Sequence, residues 1–307
     1  MKPIKRVAIL GAGAMGAYFA ACFFSNPAFT TELIADGTRA EKLISNGLIV
    51  NGKKLDIPVS NPSNTSEPYD LIIIALKHHQ LSPALTTLHP LVGENTLFIS
   101  VMNGLESESL IATEFGWDHV LYAISVGIDA VRKNNCITYT KAGKHLFGEA
   151  NNEVLSSKVC RVQEAFTAAG IQHETPIDML RTLWWKFMVN VGVNQASAVL
   201  HAPYGVFHTD PNARGLMEAL MQEVVLLAQA SGINLTHQDI LNWYPVLHTL
   251  SAEGKTSMLQ DVEASRQTEV DVFAGKVIEL GKTHNIPTPV NQTIMQIIKV
   301  IEIYQLK

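Results

Sequence analysis

The chain has 307 residues, and its 23 basic and 28 acidic residues give a formal net charge of −5 at pH 7. This length is sufficient for two domains, and the absence of a long basic run argues against nucleic acid as a partner. The three cysteines are too few and too widely spaced for a disulfide framework or a zinc site, which favours a reducing, cytoplasmic environment.

The N-terminus has a feature that superficially resembles a secretory signal, because basic residues precede an apolar run that extends to Phe24. Three glycines within that run, Gly11, Gly13 and Gly16, argue against a signal peptide. No other stretch approaches the roughly 18 uninterrupted apolar residues of a membrane span. We therefore expect no membrane partner. The histidines show no spacing typical of metal ligands, so we also expect no bound metal.

The first predicted strand covers residues 6–10 and runs directly into a glycine-rich turn. The turn has the form GxGxxG and is followed by a predicted helix over residues 17–24. Gly11 permits a tight turn, Gly13 lets the backbone approach a pyrophosphate, and Gly16 lets the helix lie close to the strand. This strand–turn–helix context predicts a dinucleotide site. Its predicted contacts are Gly11, Ala12, Gly13, Ala14, Met15 and Gly16.

The remainder of the first half alternates between predicted strands and helices. Further strands are predicted at residues 32–35, 71–76, 97–101 and 120–126, and helices at residues 39–45, 81–88, 107–115 and 152–169. Residues 137–147 resemble two antiparallel strands. Because strands alternate with helices, we predict an α/β domain with a doubly wound, Rossmann-like parallel sheet.

The second half lacks strand-like runs and shows long helical patterns, at residues 211–231, 257–284 and 291–304. We therefore predict an all-α C-terminal domain after the Rossmann-like one. The predicted domains are residues 1–176, which bind the dinucleotide, and residues 177–307, which hold the substrate and catalytic groups.

A polar stripe occurs within an otherwise apolar helical pattern. Lys186, Asn190 and Asn194 recur at every fourth residue, which places them on one face of a helix. Buried polar groups need polar partners. The stripe therefore has two interpretations: a solvated face of a half-exposed helix, or a reaction site with one proton donor and two amides.

The chain resembles the 2-dehydropantoate 2-reductase family, also called the ketopantoate reductase family, along its whole length. The matching segments are residues 11–16, Ala75-Leu76-Lys77 with Gln80, Asn103-Gly104, Trp185-Lys186 with Asn190 and Asn194, Ser257 to Asp261, Thr268-Glu269 and residues 286–291. The resemblance implies reduction of a 2-keto acid with NADPH, giving pantoate for pantothenate and coenzyme A synthesis.

The resemblance also implies roles for individual residues. Lys186 matches the proton donor of the family, and Glu269 matches its essential glutamate. The implied substrate contacts are Asn103, Asn190, Asn194 and Ser257, and the implied cofactor contacts include Lys77, Asn103, Ala130 and Glu269. Three of these have simpler alternatives, since Lys77 would suit a solvated strand end, Asn103 with Gly104 an ordinary turn, and Ser257 a helix N-cap.

One departure from the family concerns the cofactor. Family members that use NADPH usually carry an arginine where this chain has Asp36, 20 residues after Gly16. An acidic residue there typically binds the ribose 2′-OH of NAD, and it would repel a 2′-phosphate. Arg39 offers a compensating clamp for that phosphate. Asp36 therefore predicts relaxed or inverted preference, towards NADH.

Three further possibilities remain open at this stage. The chain would also suit a reductase of another branched 2-keto acid, a dinucleotide-sensing protein without turnover, or an acyl- or sugar-phosphate dehydrogenase of similar fold. The last of these would need several basic residues in the helical domain to bind the phosphate, and the site helix offers only Lys186. The complete set of matched polar residues argues against mere sensing, which needs no proton donor. A homodimer is compatible with the apolar helical half, although packing within one chain explains that pattern equally well.

Overall fold

A computed structural model describes residues 2–64 and 67–305, and the residue contacts divide the chain into two units, Met1–Leu180 and Arg181–Lys307. The first unit contains two sheets and their covering helices. Residues 181–305 of the second unit form helices and loops without a strand. The α/β fold followed by a helical region is thus confirmed.

The first unit contains the twelve strands of the described residues. They are β1 (Arg6–Leu10), β2 (Thr30–Ile34), β3 (Leu48–Val50), β4 (Lys53–Leu55), β5 (Val59–Ser60), β6 (Leu71–Ile74), β7 (Leu97–Ser100), β8 (Val120–Ile128), β9 (Val131–Lys133), β10 (Cys136–Thr138), β11 (Ala142–Gly148) and β12 (His173–Glu174). Its helices are α1 (Ala14–Phe24), α2 (Gly37–Asn46), α3 (His78–Thr87), α4 (Ser107–Phe115) and α5 (Ser157–Ala168).

The large sheet has the strand order β12-β11-β8-β7-β6-β1-β2-β5. Neighbouring strands from β8 to β5 pair in parallel, whereas β11 is antiparallel to β8. Successive residues of the central strands enter two different cores: Val7 and Ile9 lie in one, while Ala8 and Leu10 lie in the other. Both faces of the sheet are therefore covered, which explains why the central strands β1, β6 and β7 are largely apolar.

A second, smaller sheet has the order β4-β3-β10-β9. It corrects the prediction for residues 137–147, because β10 belongs to this sheet and β11 to the large one. Gly143 has a φ of +70°, and a Cβ there would lie 2.4 Å from the Val126 carbonyl oxygen. The chain therefore passes close against β8 where β11 begins, and pairs with β8 instead of β10.

The helices from α6 onward contain two π-helical segments. The α-helices are α6 (Met179–Val189), α7 (Gln195–Leu200), α8 (Tyr204–Thr209), α9 (Pro211–Ala230), α10 (His237–Leu241), α11 (Trp243–Thr249), α12 (Ser257–Glu263), α13 (Lys276–His284) and α14 (Pro289–Gln305). The segment π1 (Asn190–Asn194) joins α6 to α7, and π2 (Asp271–Gly275) leads into α13. None of the described helices is long and apolar enough to cross a membrane.

The predicted helix over residues 257–284 was wrong as a single element. After α12, the Arg266 amide donates to the Asp261 carbonyl over 2.8 Å, and Ser265 has a φ of +51°. These are features of a helix that ends in a left-handed residue. The next helical segment begins at π2. Ser257 and Glu269 therefore do not share one helix.

Candidate functional site

The predicted cofactor contacts of the first unit lie at one edge of the large sheet. Leu10 is in register with Ile34 on one side and Ile74 on the other, and Ile74 is in register with Ser100. These four residues end parallel strands, so the loops that follow them begin side by side. Those loops carry Gly11, Asp36, Lys77 and Asn103. Carboxyl ends of parallel strands are where doubly wound sheets bind ligands.

The three glycines of the turn meet three different constraints. Gly11 has a φ of +101°, and a Cβ there would lie 2.5 Å from the Ala75 carbonyl oxygen. A Cβ on Gly16 would lie 1.8 Å from the Gly11 carbonyl oxygen, so the start of α1 touches the turn itself. At Gly13 the nearest atom is 4.0 Å away, which leaves open space beside the backbone.

This open space makes the turn a suitable cradle for a dinucleotide pyrophosphate. Gly13 is the N-cap of α1, and among the described residues no side chain caps the first amides of that helix. Free amides and the positive end of a helix dipole favour an anion. Ala14 and Met15 belong to this first turn and are half-buried. The described residues therefore fit the phosphate end of NAD(P)H.

The remaining cofactor candidates of this unit differ in exposure. Asp36 and Arg39 are exposed at the start of α2, and the Asp36 carboxylate makes no capping bond to that helix. Lys77 is exposed at the start of α3, where its amide donates to Gln80 Oε1 over 3.2 Å. Asn103 is half-buried in the loop before α4, and Ala130 is half-buried between β8 and β9.

Lys186 lies in the last turn of α6, a helix with Trp184 and Phe187 buried on either side of it. Burial lowers the pKa of its ammonium from 10.5 to about 8, and desolvation is the sole cause. A proton donor is most effective when its pKa lies near the working pH. A lysine with this pKa can donate a proton near neutral pH.

Asn190 and Asn194 are 4% and 6% exposed, so they do not form a solvated stripe. They occupy the first and last positions of π1. A π-helical turn displaces side chains from ordinary α-helical positions, and such segments occur frequently at functional sites. The prediction that Lys186, Asn190 and Asn194 lie on one face of a single α-helix was thus incomplete, because the two asparagines belong to a π-helical segment.

Gln195 connects the two π-helical segments, although no sequence pattern distinguishes it from its neighbours. Its Nε2 donates to the Val191 carbonyl of π1 over 2.8 Å, and its Oε1 accepts from the Ala274 amide of π2 over 3.1 Å. Gln195 is fully buried. It therefore supplies partners to backbone groups of two irregular segments, one that carries Asn190 and Asn194 and one that follows Glu269.

Ser257 is not the N-cap of α12, because Thr256 takes that position. Thr256 Oγ1 accepts from the Leu259 amide over 3.1 Å and donates to Ser197 Oγ over 3.1 Å. Ser257 follows as the first residue of the helix, with an exposed side chain. The capping alternative for Ser257 was therefore wrong.

Glu269 is half-buried in the turn that precedes π2, and a carboxylate of the last helix holds that turn. Glu302 Oε1 accepts from the Thr268 amide over 2.8 Å and from Thr268 Oγ1 over 2.7 Å. Glu302 is buried at 8% exposure and also lies 3.6 Å from Lys299 Nζ. In the sequence, the only signal for this contact was the position of Glu302 among apolar residues of α14.

Two models of one family match the chain in succession. "Ketopantoate reductase PanE/ApbA" matches residues 7–152, and "Ketopantoate reductase PanE/ApbA C terminal" matches residues 178–302. The chain belongs to the ketopantoate reductase family. A curated 2-dehydropantoate 2-reductase from Mesorhizobium japonicum is 26% identical, over 96% of this chain and 97% of that protein.

Solved structures show the same fold. D-mandelate dehydrogenase with NADH and anilino(oxo)acetate aligns with a TM-score of 0.88 at 19% identity, over 98% of this chain and 99% of that one. The dimeric ketopantoate reductase from Staphylococcus aureus aligns with a TM-score of 0.81 at 23% identity, over the same shares of both chains. Members of the ketopantoate reductase family are oxidoreductases that bind NAD(P)H.

Proposed function

We propose that this protein reduces ketopantoate to pantoate with a hydride from NAD(P)H, and that Lys186 is the proton donor. The observation that carries the proposal is the burial of Asn190 and Asn194 in π1, directly after the turn of α6 that holds Lys186. Desolvation, which lowers the pKa of Lys186 to about 8, supports it. A solvent-exposed lysine keeps its ordinary, higher pKa, because water stabilises its charged form. Membership of the family supports the choice of ketopantoate over other 2-keto acids.

The reaction requires a hydride at the keto carbon and a proton at its oxygen. NAD(P)H supplies the hydride when bound. The Lys186 ammonium donates a hydrogen bond to the keto oxygen, stabilises the negative charge that develops there, and passes its proton to it. Burial strengthens this electrostatic stabilisation because the surrounding dielectric is low.

The other polar residues orient the substrate in this proposal. Asn190 and Asn194 offer amide donors for a carboxylate and amide oxygens for a hydroxyl. The exposed Ser257 hydroxyl binds the substrate carboxylate. The Glu269 carboxylate accepts a hydrogen bond from a hydroxyl group of the substrate or the cofactor. Asn103, in the loop after β7, is the proposed contact for the nicotinamide.

The cellular role follows from the reaction. A reductase of this specificity supplies pantoate for pantothenate and coenzyme A biosynthesis, in the cytoplasm. We also propose a homodimer, by analogy with the dimeric enzyme from Staphylococcus aureus. Sedimentation equilibrium measures that assembly directly, and a monomer mass at micromolar concentration would contradict it.

The decisive experiment follows the loss of NADPH or NADH absorbance on addition of ketopantoate. We expect turnover, and we expect Lys186→Ala to lower kcat by at least about 10²-fold. Lys282→Ala is the matched control, because Lys282 is an exposed lysine of α13 with no place in the proposed site. It should retain wild-type kcat.

Two results would contradict the proposal. If Lys186→Ala keeps more than about a tenth of wild-type kcat at saturating substrate and cofactor, Lys186 is not the proton donor. If ketopantoate is not reduced while the cofactor binds, a panel of other branched 2-keto acids distinguishes a reductase of different specificity from a dinucleotide-sensing protein.

A further inference from the structure

A hydrogen bond joins the two loops that carry Lys77 and Asn103. His78 is the first residue of α3, directly after Lys77, and its Nε2 donates to Glu106 Oε2 over 3.0 Å. Glu106 is the N-cap of α4, three residues after Asn103. The contact therefore bridges the loop after β6 and the loop after β7, which leave neighbouring parallel strands.

The loop that carries Asn103 is fixed at both of its ends. Where β7 stops, the Val101 amide donates to the Ile74 carbonyl oxygen of β6 over 2.9 Å. Beside Asn103, Gly104 has a φ of +102°, so the chain turns sharply there. At the far end of the loop, the Glu106 side chain provides the contact with the loop after β6.

The loop that carries Lys77 is braced by its own backbone. The Lys77 amide donates to Gln80 Oε1 over 3.2 Å, and the Gln80 amide donates to the Lys77 carbonyl oxygen over 2.9 Å. His78 lies inside this turn, so its imidazole extends from a fixed backbone. A side chain anchored in this way loses little further freedom when it bonds to Glu106, which makes it an effective tether.

A second pair of the same kind joins the opposite ends of α3 and α4. His89 Nε2 donates to Glu114 Oε1, and Glu114 lies in the last turn of α4. His89 begins a short 3-10 turn after α3, and the Leu91 carbonyl oxygen of that turn accepts from the Tyr69 amide over 3.0 Å, just before β6 begins. This pair therefore lies at the amino edge of the parallel strands, away from the loops that follow β6 and β7.

Both pairs are too exposed to contribute much to stability. The His78 and Glu106 side chains are 36% and 30% exposed, and those of the second pair are no more buried. Ion pairs at such positions contribute little to the free energy of unfolding, and α3 and α4 already share one apolar core. The two pairs differ in their position relative to the proposed cofactor contacts.

We propose that His78 and Glu106 are positioning residues, whose hydrogen bond fixes the loop that carries Asn103 against the loop that carries Lys77. The inference rests on the proposed function, in which Lys77 contacts the cofactor and Asn103 the nicotinamide and the substrate. A constant spacing between the two loops keeps the cofactor and the keto acid in the arrangement that hydride transfer needs. A displacement of about 1 Å can lower a rate by about 10²-fold, even when its cause lies outside the reacting groups.

The test is a set of single and double variants of the full chain. NADPH binding is measured by nicotinamide fluorescence without a keto acid, and kcat/KM with ketopantoate and Tm are measured beside it. We expect His78→Ala and Glu106→Ala each to lower kcat/KM by about tenfold and to raise the NADPH Kd by about threefold or more. Their Tm should stay within about 3 °C of wild type, because the pair is partly exposed.

Two further variants test whether the bond itself is responsible. The double variant of His78→Ala and Glu106→Ala should lose no more than either single variant, because both side chains act through one contact. His78→Gln should recover most of the lost kcat/KM, since the Nε2 of glutamine can donate to the same carboxylate.

His89→Ala and Glu114→Ala are the matched controls, because they remove the same kind of pair from the same two helices. They should change the Tm by a similarly small amount and leave the NADPH Kd and kcat/KM at wild-type values. A purely structural role would make the two pairs behave alike.

Three results would overturn the inference. Wild-type NADPH binding and kcat/KM in both His78→Ala and Glu106→Ala would do so, as would equal losses in His89→Ala. Losses that multiply in the double variant would show that the two residues act independently. If the wild-type protein does not reduce ketopantoate, the proposed function fails, and the NADPH Kd of the variants still decides whether the pair positions the two loops.

Discussion

Gln195 Nε2 donates a hydrogen bond of 3.0 Å to Asn291 Oδ1, and both residues are fully buried. Asn291 in turn donates from Nδ2 to Glu223 Oε2 over 2.7 Å. The network therefore runs from π1 through Gln195 to the start of α14 and on to α9. It holds the irregular backbone around Asn190 and Asn194 in one arrangement, since every member has a partner.

Replacing Gln195 should destabilise the helical unit. Gln195→Met keeps the size of the side chain but leaves the Val191 carbonyl, the Ala274 amide and the Asn291 amide oxygen without this partner. Each unpaired buried group costs about 1–3 kcal/mol, so we expect a loss of about 3 kcal/mol or more in the free energy of unfolding. Urea titration measures this free energy of unfolding. Hydrogen exchange of the Ala274 backbone amide should also become faster, because the amide loses its acceptor. Gln292→Met, at an exposed position of α14, is the control; an equal effect of both variants would contradict the role of the network.

Lys186→Met should abolish activity and increase stability at the same time. Folding lowers the pKa of Lys186 from 10.5 to about 8, so the charged form is destabilised in the folded protein. This penalty is fully present below about pH 8 and disappears as the pH rises to about 10.5. Since one pKa unit is worth about 1.4 kcal/mol, the variant should gain up to about 3 kcal/mol at pH 7. Thermal unfolding at pH 7 and pH 10 tests this. A variant no more stable than wild type at pH 7 would argue against the buried charge.

The same pKa predicts the pH dependence of catalysis. Lys186 must be protonated to act as an acid, so kcat/KM should fall as the pH rises through about 8. Measurement of kcat/KM for ketopantoate between pH 6 and pH 10 shows where the decline begins. A profile that stays flat to pH 10 would mean that the acid has an unperturbed lysine pKa or is a different group.

The glycines of the turn should respond differently to alanine. Gly16→Ala places a Cβ 1.8 Å from the Gly11 carbonyl oxygen, and such overpacking costs about 1–3 kcal/mol or more. At Gly13 the methyl group has room within the protein, so Gly13→Ala should unfold like wild type yet raise the Kd of both nucleotides by about tenfold or more. Gly215→Ala, in an open position on α9, should not alter nucleotide binding. Wild-type affinity in Gly13→Ala would contradict the cradle.

Glu108 gives the first unit a distinct pH dependence. This carboxyl group lies in the first turn of α4, and burial raises its pKa from 4.5 to about 7, although Ser107 Oγ donates to it over 2.9 Å. Between those values the folded state binds the proton more tightly, so its stability falls as the pH rises from about 4.5 to about 7. Glu108→Gln should remove this dependence and gain up to about 3 kcal/mol at pH 8. Thermal unfolding at pH 5 and pH 8 measures it, with the exposed Glu94→Gln as control; equal gains at both pH values would contradict the raised pKa.

Much of the fold could be predicted because its signals are local. The parallel strands are apolar runs such as Leu71–Ile74, and the turn after β1 needs glycine at positions where a Cβ would collide. Small elements were harder to predict. The strands β3, β4, β9 and β10 have three residues each, too few to show a period. The break at Ser265 was missed because neither glycine nor proline marks it.

Local sequence patterns were sufficient to predict the Rossmann-like unit, the helical unit, the glycine-rich turn and the candidate proton donor Lys186, since each depends on residues that are neighbours in the chain. Three contacts are visible only in the folded chain: Arg132 bonds to Ala12, Gln195 bridges two π-helical segments, and Glu302 bonds to Thr268 in the turn before π2. The physical reason is that these contacts join residues far apart in sequence, and the closure and packing of the intervening chain determine them. No local pattern encodes that arrangement.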